Sequence, residues 1–216
     1  MKINMCLKRF FPVLFVFVLW ACDEEKEPMK DLGYEYFRIS LGQTNVYAVD
    51  SIYHSAIKGT SDTVKCFYRE IITNRTVDSF GIATYKADAY LSYDTAKGWK
   101  WVDYYFYRVD TNSVQHKVGN TANLIFVYPV IKNKKWNINS FNSKTEEFAY
   151  FRKVDFSFAK YLHCTEVVLK EEVNFIEERV LTAVYARDIG LISRYYSDVT
   201  IDFSKKDGIE VQINRL

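Results

Sequence analysis

The residues most able to carry chemistry are the three histidines, and they lie far apart along the chain. His54, His116 and His163 share no His-x-x-x-His spacing, and the cysteines form no Cys-x-x-Cys pair. A metal site needs several donors that converge on one ion. In His163-Cys164 the two side chains would point to opposite faces of a strand. The sequence therefore predicts no metal site.

The sequence gives equally little support for a catalytic site. Ser51 and His54 follow Asp50, but this short stretch lacks the Gly-x-Ser-x-Gly turn of serine hydrolases. Glycosidases need two carboxyl groups that face each other across a cleft, whereas the carboxyl groups of Glu146-Glu147 and Glu171-Glu172 would point to opposite faces of a strand. The sequence contains no glycine-rich phosphate loop. We expect a protein that is not an enzyme and needs no cofactor.

Aromatic side chains are the remaining candidates, because they can stack on sugars or line an apolar pocket. The densest run is Trp99 to Tyr107, in which alternation predicts that Trp99, Trp101, Asp103, Tyr105 and Tyr107 share one face. Our candidate ligand-binding residues are Trp99, Trp101, Tyr105, Tyr107 and Trp136. The alternative is that these side chains form core and half-buried surface.

The first 21 residues have the pattern of an export signal. Three basic residues precede an apolar run from Phe10 to Ala21. As a helix this run would span about 18 Å, which is too short for a hydrocarbon core of about 30 Å. A cleaved signal over residues 1–21 is therefore favoured over a permanent membrane helix.

The end of that run resembles the bacterial lipobox. Leu19, Ala21 and Cys22 match its pattern, although Trp20 is bulkier than the usual residue there. The resemblance implies cleavage before Cys22, a diacylglycerol on its thiol and an acyl chain such as palmitate on the new amine. Two or three acyl chains give stable anchoring. The alternatives are a signal cleaved elsewhere and an uncleaved anchor.

Residues 22–35 are predicted to be a lipidated acidic tether between membrane and domain. The run Asp23-Glu24-Glu25 fits a solvated linker, and it also resembles the acidic export signal of Bacteroidota surface lipoproteins. We expect an outer-membrane protein held by its lipid, on either the periplasmic or the cell-surface face. Without its three signal residues Lys2, Lys8 and Arg9, the chain has 26 basic and 27 acidic residues, so we expect no nucleic-acid partner.

Residues 36–216 are predicted to be one mainly β domain with little helix, built as an antiparallel curved sheet, a sandwich or a partly open barrel. The clearest hairpin joins Phe80–Tyr93 to Trp99–Asp110 through a loop that ends at Gly98. A last hairpin is predicted around a loop from Ser204 to Gly208. Residues 163–187 show some helical spacing, but their β-branched residues favour two strands around Asn174.

Two cysteines remain in the predicted domain, Cys66 and Cys164. An exported chain can form disulfides, so these two are a candidate bridge. The alternative is two separately buried thiols, because sequence alone cannot place the two sulfur atoms together.

Four blocks of the domain occur in an order that resembles uncharacterised Bacteroidota lipoproteins. They are Val46–Ile52, Phe126–Val130, Trp136–Asn142 and Tyr185–Ile192. The last block is also similar to periplasmic proteins whose half-barrel sheets hold lipids, an analogy of fold alone. The resemblance implies no activity. We expect a binding or accessory module for an apolar or glycan ligand, or alternatively a structural or assembly partner in an envelope complex.

Overall fold

Twelve β-strands form one antiparallel sheet in the computed structural model, which describes residues 31–202 and 205–216. The predicted signal, Cys22, Phe203 and Ser204 lie outside the described residues. The strands are β1 (Thr44–Ser55), β2 (Thr60–Val77), β3 (Ala83–Ser92), β4 (Lys100–Val109), β5 (Ser113–Val118), β6 (Thr121–Val127), β7 (Lys135–Asn137), β8 (Phe148–Phe158), β9 (Tyr161–Val173), β10 (Glu177–Ala186), β11 (Gly190–Asp202) and β12 (Lys205–Arg215). Two short 3-10 turns, Tyr34–Tyr36 and Thr95–Lys97, are the helical elements of this part of the chain.

The order of strands in the sheet is β6-β5-β4-β3-β2-β1-β12-β11-β10-β9-β8-β7. Strands that are adjacent in this order are also consecutive in sequence except at one place, where β1 pairs with β12. The two ends of the sheet also approach each other, since the Leu124 amide donates to the Ile138 carbonyl at 2.8 Å. The sheet is therefore nearly closed and barrel-shaped, which confirms the predicted antiparallel β domain.

The clearest predicted hairpin and the two strands predicted around Asn174 are both present. In the β3–β4 turn, Asp94 Oδ1 accepts a hydrogen bond from the Ala96 amide at 3.0 Å, and Gly98 adopts a φ of 97°. In the β9–β10 turn, Asn174 Oδ1 accepts from the amides of Ile176 and Glu177, both at 2.9 Å. Residues 163–187 are thus two strands joined by a turn, and the helical alternative is wrong.

The last hairpin differs from the predicted one. Lys205 to Gly208 are already part of β12, where Lys205 pairs with Asp202 and Gly208 pairs with Val199. A Cβ on Gly208 would lie 2.1 Å from the Asp198 carbonyl oxygen. Glycine is therefore required here because two strands approach closely. Asp207-Gly208 lies within β12 and is not the turn of this hairpin.

The amino-terminal part of the domain closes one end of the sheet. The Val130 amide donates to the Leu32 carbonyl at 3.1 Å, and the ring of Tyr34 lies 4.6 Å from that of Tyr128. The Asp188 amide donates to the Glu35 carbonyl at 2.9 Å. Leu32–Leu216 is accordingly one compact unit.

The interior of the sheet is filled by an aromatic core. Phe126 is fully buried, and its ring centre lies 5.2 Å from that of Phe151 and 5.1 Å from that of Tyr185. Phe37, from the segment that closes the end, packs against Tyr107 and Tyr185 at 5.5 and 5.7 Å. Since strand side chains alternate between faces, the opposite residues of each strand form the outer surface.

Candidate functional site

One carboxyl group is buried inside the sheet, on Glu70 of β2. Glu70 is 6 % exposed. Asn45 Nδ2 donates to Oε1 at 2.9 Å, the Tyr107 hydroxyl donates to Oε2 at 3.0 Å, and the Tyr105 hydroxyl donates to the same oxygen. A buried carboxyl group is costly unless its oxygens are hydrogen-bonded, and these three donors satisfy that requirement.

The phenols around Glu70 are held in their protonated state. Burial raises the pKa of Tyr107 well above its usual range, and the nearby carboxyl group of Glu70 raises it further. The Tyr68 hydroxyl lies 2.6 Å from that of Tyr105, and burial raises the pKa of Tyr68 to about 12. These hydroxyls therefore act as hydrogen-bond donors at neutral pH.

A half-buried arginine shares this interior with Glu70. Arg194 of β11 pairs in register with Ala183, a core residue, so its side chain points inward. Its Nε is buried without a hydrogen-bond partner, whereas its guanidinium is hydrogen-bonded to the Tyr185 side chain. Burial alone would lower the pKa of Arg194, but the phenols of Tyr185 and Tyr107 raise it above its usual value, so the side chain stays charged.

His116 of β5 completes the interior polar group, which we call the inner cluster: Asn45, Tyr68, Glu70, Tyr105, Tyr107, His116, Tyr185 and Arg194. Its ring packs 4.7 Å from that of Tyr105 and 5.2 Å from that of Tyr107. Burial, and then the charge of Arg194, lower the pKa of His116 to about 4. The imidazole is therefore neutral at pH 7.

A small cavity lies beside the inner cluster, under the segment Phe37–Gln43. Its volume is about 30 Å³. Its lining includes Gln43, Tyr47, Glu70, Tyr107, Tyr185 and Arg194. This is the space open to the centre of a water molecule, and about 10–15 Å³ of such space is enough for one, so the cavity can hold at least one water molecule. It is far too small for a lipid or an oligosaccharide.

The predicted aromatic candidates separate onto two faces of the sheet. Tyr105 and Tyr107 point inward to Glu70, as described above. Arg69 neighbours Glu70 on β2 and so points outward, and its guanidinium lies 4.4 Å from the ring centre of Trp99. Trp99 therefore lies on the outer face, away from Tyr105 and Tyr107.

A β-bulge accounts for this separation. Ala89 pairs with Asp103 and Tyr90 pairs with Trp101, which leaves Val102 of β4 without a partner in the register. The extra residue reverses the alternation, so Trp101 also points outward, where it is 51 % exposed and bonds to Asp88. The prediction that Trp99, Trp101, Tyr105 and Tyr107 share one face is thus wrong.

The fifth candidate, Trp136, lies apart from the other four. It is 7 % exposed, its Nε1 donates to the Leu124 carbonyl at 2.9 Å, and its ring packs 4.9 Å from Phe151. Trp136 on β7 and Leu124 on β6 join the two ends of the sheet. Its position is therefore that of a core residue.

Glu70, Arg194 and His116 were not among the candidates, although the sequence held a signal for two of them. Tyr68, Glu70 and Ile72 share one face by alternation, and a charged residue on an apolar face needs a partner. Arg194 likewise interrupts the apolar run that begins at Leu191. For His116 no signal existed, because β5 is too polar to be recognised as a strand.

The two cysteines of the domain are free thiols. Cys66 lies on β2 and Cys164 on β9, and four strands separate these two in the sheet. A disulfide requires Cα atoms within about 7 Å. The candidate bridge is therefore not formed in the structure. His163 and Asp155 form an exposed pair at 2.6 Å, apart from the inner cluster.

Fold and site together define a class of protein: a single antiparallel β domain with a nearly closed sheet, a polar inner cluster and aromatic groups on its outer face. Comparisons of the chain with protein-family models, with curated proteins and with solved structures find no match. The resemblance to Bacteroidota lipoproteins therefore stays a prediction.

Two further findings apply to the described part of the chain. It contains no helix that is long and apolar enough to cross a membrane. It also contains no group of three or more His, Cys, Asp or Glu side chains placed to hold a metal ion.

Proposed function

We propose that this chain is a lipid-anchored outer-membrane protein whose β domain is a non-enzymatic binding module for a glycan. The ligand stacks on what we call the outer aromatic face: Arg69, Tyr90, Trp99, Trp101 and Tyr104. The observation that carries the proposal is the exposure of two rings on the outer face of β4, Trp101 at 51 % and Tyr104 at 47 %. Anchoring rests on the lipobox at Cys22.

The outer aromatic face is held in place by cations. The Arg69 guanidinium lies 4.4 Å from the Trp99 ring centre and 4.7 Å from that of Tyr90. Lys86 Nζ lies 5.1 Å from the Tyr104 ring centre. Such contacts fix ring orientation before a ligand arrives, which lowers the entropy lost on binding.

Sugar chemistry matches this surface better than a purely apolar ligand does. A sugar ring offers a C–H face that can stack on an aromatic ring, and its hydroxyls need polar partners. Asp88, beside Trp101, and Lys86, beside Tyr104, supply such partners. An apolar ligand needs an enclosed pocket, whereas the depression at the end of the β3–β4 hairpin, about 600 Å³ and lined by Leu91, Tyr93 and Trp99, is open to solvent.

The test is binding of the purified chain to a panel of immobilised oligosaccharides, followed by calorimetry with the best one. Trp101→Ala should weaken binding by about tenfold or more, because it removes an exposed stacking surface. Tyr104→Ala should act in the same direction. Tyr53→Ala is the matched control, since Tyr53 on β1 is 48 % exposed and lies outside the outer aromatic face. Equal affinity in all three variants, or no binding to the panel, would refute the proposal.

A second candidate function is assembly with an envelope protein. Two hairpin turns at the same end of the sheet expose large apolar side chains: Ile57 is 98 % exposed and Phe175 is 99 % exposed. Both turns flank the β11–β12 hairpin, as the Ala56 amide donates to Asp207 Oδ1 and the Ile201 amide donates to the Ile176 carbonyl. Neighbouring exposed apolar groups favour a protein contact. Crosslinking in intact cells from position 175, with position 53 as the control, tests this candidate.

A further inference from the structure

The outer aromatic face holds an arginine that forms no ion pair with the described residues. The Arg69 guanidinium lies 4.7 Å from the ring centre of Tyr90 and 4.4 Å from that of Trp99, and no described carboxylate oxygen lies within 4.0 Å of it. Stacking uses the faces of a guanidinium and leaves the N–H donors in its plane for a ligand. Four other arginines of this part of the chain do have a carboxylate partner: Arg38, Arg108, Arg152 and Arg179.

A second cation lies on the other side of Trp99. Lys100 is exposed, it lines the same open depression as Trp99, and it too forms no ion pair with the residues that the structure describes. The carboxylates of the β3–β4 hairpin already accept hydrogen bonds or form ion pairs: Asp88 with Lys86 and Thr73, Asp94 with Lys97 and the Ala96 amide, and Asp103 with the Tyr104 amide. The surface around Trp99 therefore carries two positive charges that the hairpin does not neutralise.

The spacing between the charge and the stacking ring suits a chain of sugars. Arg69 pairs with Tyr90 of β3, and Tyr90 pairs with Trp101 of β4, so these three residues lie side by side across the sheet. Two strand spacings separate Arg69 from Trp101, which is about 10 Å. A sugar stacked on Trp101 thus brings the next ring of the same polymer to Arg69.

We propose that the ligand of the outer aromatic face is an acidic polysaccharide whose sugar rings carry carboxylate groups. Arg69 and Lys100 pair with these carboxylates, while Trp99 and Trp101 stack on the rings. The planar fork of arginine matches a carboxylate in two parallel hydrogen bonds, and lysine adds a point charge. This inference rests on the glycan-binding function proposed above and adds the chemical class of the glycan.

Calorimetric titration of the full chain with polygalacturonate, alginate and hyaluronate, each beside its carboxyl-reduced form, tests the proposal. Reduction keeps the rings and linkages and removes the charge. We expect at least one acidic polymer to bind about tenfold more tightly than its reduced form at low salt, with a smaller preference at high salt. If every reduced form binds as tightly as its parent, this inference is overturned and the glycan proposal stands. If no polysaccharide binds, both are overturned.

Substitution of Arg69 separates the effect of its charge from its effect on the rings. Arg69→Gln should remove most of the preference for the acidic polymer and change the affinity for the reduced polymer by less than about twofold. Arg75→Gln is the matched control, because Arg75 also lies on β2 and beside a tyrosine ring, that of Tyr85 at 5.8 Å, but outside the outer aromatic face. An equal loss of affinity for both polymers in Arg69→Gln would show that Arg69 only positions Trp99, and it would overturn the assignment.

A second variant keeps the test decisive if Arg69→Gln fails to fold. Lys100 is exposed, so Lys100→Gln should fold normally. We expect it to weaken binding of the acidic polymer several-fold and to leave binding of the reduced polymer unchanged. The same affinity for the acidic polymer in Lys100→Gln and in the wild-type protein would contradict a role for this cation.

Discussion

At the scale of single residues, the interior depends on groups that are favourable only as a set. Glu70 is tolerated inside the sheet because Asn45, Tyr105 and Tyr107 donate to it, and those phenols are tolerated because Glu70 accepts. Removing one member leaves the others buried without partners. The effects of substitutions within the inner cluster on the free energy of unfolding should therefore not be additive.

Substitution of Glu70 measures this dependence. Glu70→Ala should lower the free energy of unfolding by about 3–5 kcal/mol, because two buried phenols and one amide lose their acceptor. Urea unfolding followed by circular dichroism gives the value. Glu172→Ala is the control, since that side chain is 51 % exposed and should change stability by less than about 0.5 kcal/mol. Similar losses in the two variants would contradict the buried network.

The lowered pKa of His116 predicts how the stability of the folded chain changes as the pH falls. Its pKa is about 4 in the folded chain against an ordinary value of 6.5, so the unfolded chain takes up the proton first as the pH falls. Stability should therefore be complete above about pH 6.5 and fall by about 3 kcal/mol as the pH approaches 4. His116→Gln should flatten this part of the profile, whereas His163→Gln, at an exposed site, should not. Parallel profiles for all three proteins between pH 4 and 7 would disprove the assignment to His116.

At the scale of elements, local turn chemistry could be predicted from the sequence, and pairing between strands could not. The Asp94–Gly98 and Asn174 turns are encoded by residues that act on their own backbone. The bulge at Val102 depends on which residue of β3 faces it, and this is a property of two strands. For this reason alternation along the sequence predicts the wrong face for Trp99 and Trp101, although the hairpin itself is predicted correctly.

Substitution of Gly208 tests the close approach of β11 and β12. A Cβ there would lie 2.1 Å from the Asp198 carbonyl oxygen, so Gly208→Ala must separate β11 from β12 or distort both. We expect a loss of at least about 3 kcal/mol in the free energy of unfolding. Gly59→Ala is the matched control, because Gly59 also has a positive φ, 64°, but open space around it, and should cost only about 1 kcal/mol. Comparable thermal midpoints for the two variants would argue against close contact of the strands.

At the scale of the whole molecule, the sequence predicted an antiparallel β domain but not its closure. β1 and β12 are the first and last strands of residues 31–216 as far as the structure describes them, and nothing in either segment alone specifies the other as its neighbour. The same holds for the hydrogen bond between Leu124 and Ile138, which joins the two ends of the sheet. Such long-range pairings arise from the geometry of closure, and they also bring Arg194 and Glu70 into one interior.

The lipid anchor is tested on the complete chain. In cells supplied with radioactive palmitate, the wild-type protein should incorporate label and Cys22→Ala should incorporate none, because the lipobox reading places the acyl chains on residue 22. Cys6→Ala is the control, since that cysteine lies in the segment that the predicted cleavage removes. Retention of label in Cys22→Ala would rule out the lipobox.

The position of β12 in the sheet has a consequence for truncated chains. β12 follows every other described strand in the chain, yet it lies between β1 and β11, in the middle of the sheet order. A chain that stops before Lys205 would therefore present two unpaired strand edges, which invite proteolysis and aggregation. The 11 residues of β12 are therefore needed to join the two halves of the sheet. A chain cut before this strand should stay open and accessible to proteases.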